Sequence, residues 1–177
     1  MITIHKATTA DIETLREVGC QTYREHFSTL WSPAGMQGFL EQDFSPTALR
    51  QSLELPGRHT WFIACDEQGK AVGFAKVNWA VPAPLTGEVG AELQKIYLLK
   101  SAAGLGYGKQ LLQCVRDEVA QRGEPLLWLD VLKTNAKAQG FYDAFGFRHM
   151  GEIPFSTDLA DIGMVVMGLE LKQQAQR

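Results

Sequence analysis

Apolar and polar positions change rhythm several times along this chain, and each change marks an element. In MITIHKAT, Ile2 and Ile4 alternate with polar neighbours, the period of a strand. Ile12, Leu15, Val18 and Gly19 then recur at helical steps, which predicts a helix capped by Thr9. A second helical region lies within SPAGMQGFLEQDFSPTALRQSLEL. It breaks at Ser45–Pro46, because proline disfavours helix at the residue before it. After Pro56–Gly57 the chain becomes β-rich. TWFIACD and KAVGFAKVNWA, separated by EQG, read as a hairpin. VPAPLTGEVG reads as a loop and AELQKIYLL as a third strand.

Residues 107–122 carry Leu111, Leu112, Val115 and Val119 on one helical face and end at Gly123. PLLWLDVL is apolar on both faces, the pattern of a central strand. TNAKAQGFYDAFG predicts a helix capped by Thr134 or Asn135 and stopped by Gly146. FRHMGEI and IGMVVMGLEL close the chain as strands. The order predicts one mixed α/β domain over residues 1–171, with residues 172–177, KQQAQR, as a frayed tail. Strands at the C-terminal edge offer a surface for a homodimer.

Composition narrows the function classes. With 177 residues, 45% of them apolar and a net charge of −3, the chain can bury one sizeable core and carries no basic field for nucleic acid. Cys20, Cys65 and Cys114 are odd in number and form no CxxC, so they read as reduced thiols of a cytoplasmic protein. The N-terminus has no apolar signal core, and no apolar run approaches ~20 residues, so no membrane segment is expected. His26 and His149 lack the companions of a metal site, so no metal is expected.

The chemistry concentrates at SAAGLGYGKQLL, where Gly104, Gly106 and Gly108 alternate between a strand and a helix. The first N–H groups of a helix lack internal partners and carry partial positive charge. Glycines let such a backbone close on a phosphate, and Lys109 adds a cation in the first turn. A P-loop is excluded, since its first glycine would fall on Ala103 and its Ser/Thr on Gln110. A dinucleotide turn is excluded too, since its third glycine would fall on Lys109.

LQKIYLLKSAAGLGYGKQLL resembles the acetyl-coenzyme A segment of the GNAT acetyltransferases, [QR]-x-x-G-x-[GA]. Downstream, LDVLKTNAKAQGFYDAFGF is similar to that family's second motif at Leu129, Val131, Asn135, Ala138, Phe141, Tyr142, Gly146 and Phe147. Ala103 departs from the pattern at the [QR] position, leaving Lys109 as the nearby cation. Finer similarity, in GFAKVN, AELQKIYLL and FSTDLADIGMVV, points to the PaiA-type polyamine acetyltransferases.

The resemblance implies the GNAT fold, a central mixed, mostly antiparallel sheet flanked by helices. It implies acetyl-CoA as co-substrate, held at Ile96, Tyr97, Leu98, Gly104, Leu105, Gly106, Tyr107, Gly108, Lys109, Asn135, Phe141 and Tyr142. The strand of Ile96–Leu98 would splay from that of Trp128–Val131, so that the pantetheine arm adds there like a strand. An alkyl-ammonium with pKa ~10.4 is nucleophilic in only about one molecule in a thousand near pH 7.4, so a base is needed. Glu92 is the first candidate and Asp130 the second. Tyr142 matches the family's acid, which protonates the departing sulfur. The early helices and the last strand turn supply acceptor candidates: Tyr23, His26, Trp31, Glu41, Asp43, Phe155, Asp158 and Asp161. Acids among aromatics suit a cationic amine. Two other functions fit the same motifs: a non-catalytic acyl-CoA sensor, and acetylation of a protein or peptide amine.

Overall fold

A computed structural model describes residues 1–171, so the expected frayed tail at 172–177 lies outside the described residues. Seven strands form one sheet in the order β1-β2-β3-β4-β5-β7-β6. They are β1 Thr3–Lys6, β2 His59–Cys65, β3 Ala71–Pro82, β4 Val89–Leu98, β5 Leu126–Leu132, β6 Arg148–Ile153 and β7 Met164–Glu170. Every pairing is antiparallel except β4 with β5. The mixed, mostly antiparallel sheet expected from the sequence is therefore present. Among the described residues no helix is long and apolar enough to cross a membrane.

Five α-helices cover the two faces: α1 Ile12–Phe27, α2 Pro33–Phe44, α3 Pro46–Leu53, α4 Tyr107–Gln121 and α5 Ala136–Phe145. On one face Leu15 and Val18 of α1, Leu40 and Phe44 of α2, and Leu49 of α3 pack on Trp61, Ile63 and Phe74. On the other, Leu111, Leu112, Val115 and Val119 of α4 pack on Phe62, Ala75, Val77, Leu127 and Leu129. Fully burying a side chain of this size is worth roughly 1.5–3 kcal/mol, so each helix is held chiefly by its apolar stripe.

The break at Ser45–Pro46 is a single residue long. Ser45 is extended, with ψ 150°, as a residue before proline must be. It closes α2 through its N–H to the Glu41 carbonyl and opens α3 by accepting from the Ala48 N–H at 3.2 Å. Ser32 and Pro33 start α2 in the same way.

Three boundaries differ from expectation. Thr8, not Thr9, is the capping residue. Its hydroxyl accepts from Ala10, and Asp11 returns the bond to its N–H, while Thr9 lies inside a short 3-10 turn. The loop expected over VPAPLTGEVG shrinks to residues 83–88, because β3 continues through Pro82, which pairs with Val89 at the strand end. β4 ends at Leu98, since Leu99 opens a second 3-10 turn.

Candidate active site

The glycine turn forms an open row of donors. Gly104 and Gly106 sit at φ +77° and +78°, the left-handed region that favours glycine, with open space where a Cβ would point. Gly106 is the N-cap of α4 and supplies no side chain to its first turn. Among the described residues, none of the N–H groups of residues 104–109 has an acceptor within the chain. Leu105 and Lys109 are exposed, and Tyr107 and Gly108 half-exposed. A Cβ at Gly108 would lie 3.6 Å from Leu98 and 3.8 Å from Phe141, so strand end, helix start and α5 converge there. Bare N–H groups at a helix start, with a lysine beside them, fit a diphosphate.

Behind the turn the sheet opens. β4 and β5 pair only at Ala91–Leu127 and Glu92–Trp128; beyond that, residues 93–98 and 129–132 part. Ile96, Tyr97 and Leu98 line one side of the gap. Asn135 and α5 follow β5 on the other. Asn135 caps α5 by accepting from the Ala138 N–H at 3.1 Å. His26 donates a ring N–H to the Leu98 carbonyl at 2.8 Å, and Glu25 accepts from the Lys100 N–H at 3.1 Å. The end of α1 is thereby fastened to the strand end that leads into the glycine turn.

Tyr142 is 9% exposed and packs edge-on to Phe147. Burial pushes its phenol well above the ordinary range. Among the described residues no fully buried side-chain polar atom lacks a partner, and the Tyr142 hydroxyl makes no hydrogen bond. Its oxygen is therefore not fully sealed from solvent. Across the gap, burial likewise raises the Tyr97 phenol, with the Tyr142 and Asp130 charges adding to the effect.

Glu92 sits at the point where the sheet opens, half-buried, with Oε1 2.8 Å from Asn78 Nδ2. Strand alternation leaves open which face Asp130 occupies; the structure puts it on the side of Glu92. Poor hydration of its carboxyl, then the Glu92 charge, raise the Asp130 pKa, against a lowering by Lys95. Two carboxyls thus share the open side of the gap.

The acceptor candidates separate. Tyr23 is 2% exposed. Its hydroxyl donates to Asp43 at 3.1 Å and accepts from Lys95 at 2.9 Å, so it ties α1 to α2 and β4 in the interior. Glu41 is turned away. It lies two residues from Asp43, on the opposite side of α2, against Arg16 of α1 at 4.0 Å and Gln37 at 3.3 Å. Trp31 stacks on Phe39 at 5.1 Å. Next to it, Ser32 donates through its N–H, at 3.0 Å, and its hydroxyl to Asp158 of the β6–β7 loop. The early helices and the last strand turn therefore meet. Phe155 accepts in that loop from Ile162 and Gly163, and Asp161 bonds Ser156 within it.

Asn78, Lys76 and Lys95 escaped the sequence reading. Their signal is a polar residue inside otherwise apolar strands, GFAKVNWA and LQKIYLL. Lys95 is 7% exposed and ion-paired to Asp43 at 2.8 Å. Lys76, opposite it across the ladder, lies over the Trp61 ring at 5.2 Å. The three cysteines are free, and no cluster of metal-ligating residues occurs among the described residues.

Comparison with known proteins agrees with this geometry. The pattern of the acetyltransferase (GNAT) family matches residues 16–147. An uncharacterized N-acetyltransferase of the pepI 3′ region of Lactobacillus delbrueckii subsp. lactis is 28% identical over 157 residues, 87% of this chain and 88% of that one. The 5-NmdU N-acetyltransferase of Pseudomonas phage PaMx11 is 32% identical over 111 residues, 63% of this chain and 73% of that one. In fold, the chain is similar to the PaiA N-acetyltransferase of Thermoplasma acidophilum, solved with coenzyme A. The TM-score is 0.78 at 21% identity, over 97% of this chain and 99% of that one. With bare helix-start donors, a sheet that splits beside them and the family pattern across most of its length, this chain belongs to the GNAT acetyltransferases and uses acetyl-CoA.

Proposed function

We propose that this acetyltransferase modifies the primary amine of a small molecule, a polyamine in particular, by direct attack while both substrates are bound. The observation that carries the reading is the placement of Glu92 where β4 leaves β5, with Asp130 on the same side. A polycation is favoured by these carboxyls together with Asp158 near the aromatic pair Trp31 and Phe39.

Acetyl-CoA supplies an activated acyl carbon, and the chain's own groups handle the rest. The N–H groups of residues 104–109, with Lys109, hold the diphosphate; the free edges of β4 and β5 take the arm that follows it. Glu92 removes the ammonium proton that blocks attack, a handicap of roughly 4 kcal/mol at neutral pH. As the N–C bond forms, the C–S electron pair passes to sulfur, and Tyr142 gives that sulfur its proton. The second proton, shed by nitrogen as the amide forms, restores Tyr142 through water. Cys20, Cys65 and Cys114 lie on α1, β2 and α4, none of them on β4, β5 or α5, which favours direct transfer over an acylated enzyme.

The test is coenzyme A release from acetyl-CoA with a panel that holds spermidine, simple alkylamines, amino acids and a short peptide. Turnover fastest with spermidine supports the reading. Turnover confined to the peptide moves the acceptor to protein amines. Acetyl-CoA binding without turnover on any amine overturns it in favour of a sensor.

A further inference from the structure

Glu92 does not stand alone. It is the third member of a row across three strands, His59 of β2 opposite Asn78 of β3, and Asn78 opposite Glu92 of β4. The side chains bond in the same order. His59 Nδ1 lies 2.7 Å from Asn78 Oδ1, and Asn78 Nδ2 lies 2.8 Å from Glu92 Oε1.

Chemistry fixes the direction of both bonds. An ionised carboxylate only accepts, so Asn78 turns its amide nitrogen toward Glu92. Its oxygen then faces His59, so His59 carries a hydrogen on Nδ1 and donates it. Asn78 is 8% exposed, so neither end of the amide can trade its partner for water without a desolvation cost. With Oε1 occupied by Asn78, Oε2 is the oxygen left to take a proton. If His59 stopped donating, the amide could rotate and set its oxygen against the carboxylate.

We propose that Asn78 and His59 are positioning residues for the proton transfer: His59 fixes which way the Asn78 amide points, and Asn78 holds Glu92 with one oxygen turned to the acceptor amine. The inference rests on Glu92 being the base. Other charged groups face Glu92, namely Lys76 of β3 and Asp130 of β5, with Lys95 of β4 acting on both of them, but among the described residues none bonds to it. The His59 pKa is lowered by burial, against a raising by the Asn78 bond, so the ring is largely neutral near pH 7, and the Asn78 bond selects the tautomer with hydrogen on Nδ1.

The test follows kcat against pH with the fastest amine of the panel, in five variants. Asn78→Asp keeps the shape but sets two carboxylates together, which must share a proton. It should lower kcat at pH 7 about tenfold and carry the acid limb of the profile about one pH unit upward, with the acetyl-CoA KM within about twofold. His59→Ala should lower kcat severalfold. His59→Asn, whose amide can donate from near the place of Nδ1, should restore most of that loss. Glu92→Gln should cost about a hundredfold, and Asn78→Asp in that background should add nothing. An unshifted profile in Asn78→Asp, or the same fold-loss with and without Glu92, overturns the positioning role while leaving the base in place. A Glu92→Gln enzyme as fast as the parent overturns the base and the inference together.

Discussion

The Lys95 ammonium lies 2.8 Å from the Asp43 carboxylate, with the Tyr23 hydroxyl bonded to both. This pair joins β4 to α2, with Tyr23 of α1 between them. Its side chains are 8% and 15% exposed, so either charge left alone would be stranded.

Asp43→Ala should therefore destabilise the fold by about 3–5 kcal/mol, the usual cost of orphaning a buried charge. Asp43→Leu combined with Lys95→Met should recover most of that loss, since an apolar pair leaves nothing unpaired. Urea denaturation of the two variants makes the comparison. Equal midpoints would show that the charges are solvated and the contact dispensable.

Gly106→Ala forces a side chain into a left-handed position, at a cost of roughly 1–2 kcal/mol. The helix persists because its apolar stripe holds it; the first turn pays, and its donors lose their common aim. Acetyl-CoA affinity measured by calorimetry should fall about tenfold, with the KM of the amine unmoved. An unchanged affinity would remove the main-chain donors from the binding role.

Tyr142→Phe deletes the phenol oxygen of α5. kcat should fall about a hundredfold with little change in acetyl-CoA affinity. Because burial raises the parent phenol, its proton is retained through the alkaline range, so kcat should show no Tyr142-dependent decline below about pH 10. A variant as fast as the parent would assign sulfur protonation to water.

Lys76 makes stability depend on pH in a defined direction. Burial, then the Lys95 charge, lowers its pKa from 10.5 to about 8. Below about 8 both folded and unfolded chains carry the charge, and the fold bears its full desolvation cost. From about 8 to 10.5 the unfolded chain holds the extra proton, so stability rises with pH and the cost disappears. Lys76→Met should raise the melting temperature at pH 7, and the difference from the parent should shrink toward pH 10.5. A constant difference at both pH values would mean that Lys76 is well hydrated.

The sequence made the local features legible and left the lateral ones hidden. Ser45–Pro46 announces its break because proline acts on its immediate neighbour, and the glycine turn announces itself through three residues in five. Asn78 could not be linked to Glu92 from spacing, because the β3–β4 ladder carries two register shifts; its link to His59 runs through a β2–β3 ladder with a shift of its own at Ala64/Cys65. The same irregularity brings Lys95 to the face of Glu92, although an odd spacing would put them on opposite faces of a regular strand. Glu41 and Asp43 look equivalent in composition, yet two residues along a helix reverse the direction of a side chain. The end of β3 looked like loop because Ala80, at φ +54°, and Pro82 are residues that interrupt ladders.

The two residue pairs that join β4 to β5 make the sheet a seam closed at one end only. Past Glu92, each strand carries main-chain groups with no neighbour on the inner side, in the middle of the protein and not at its rim. A free edge normally invites another chain to dock. Here the two free edges face each other inside one sheet, so what they suit is a single extended arm laid between them, and the flaw in the weave is also its filter.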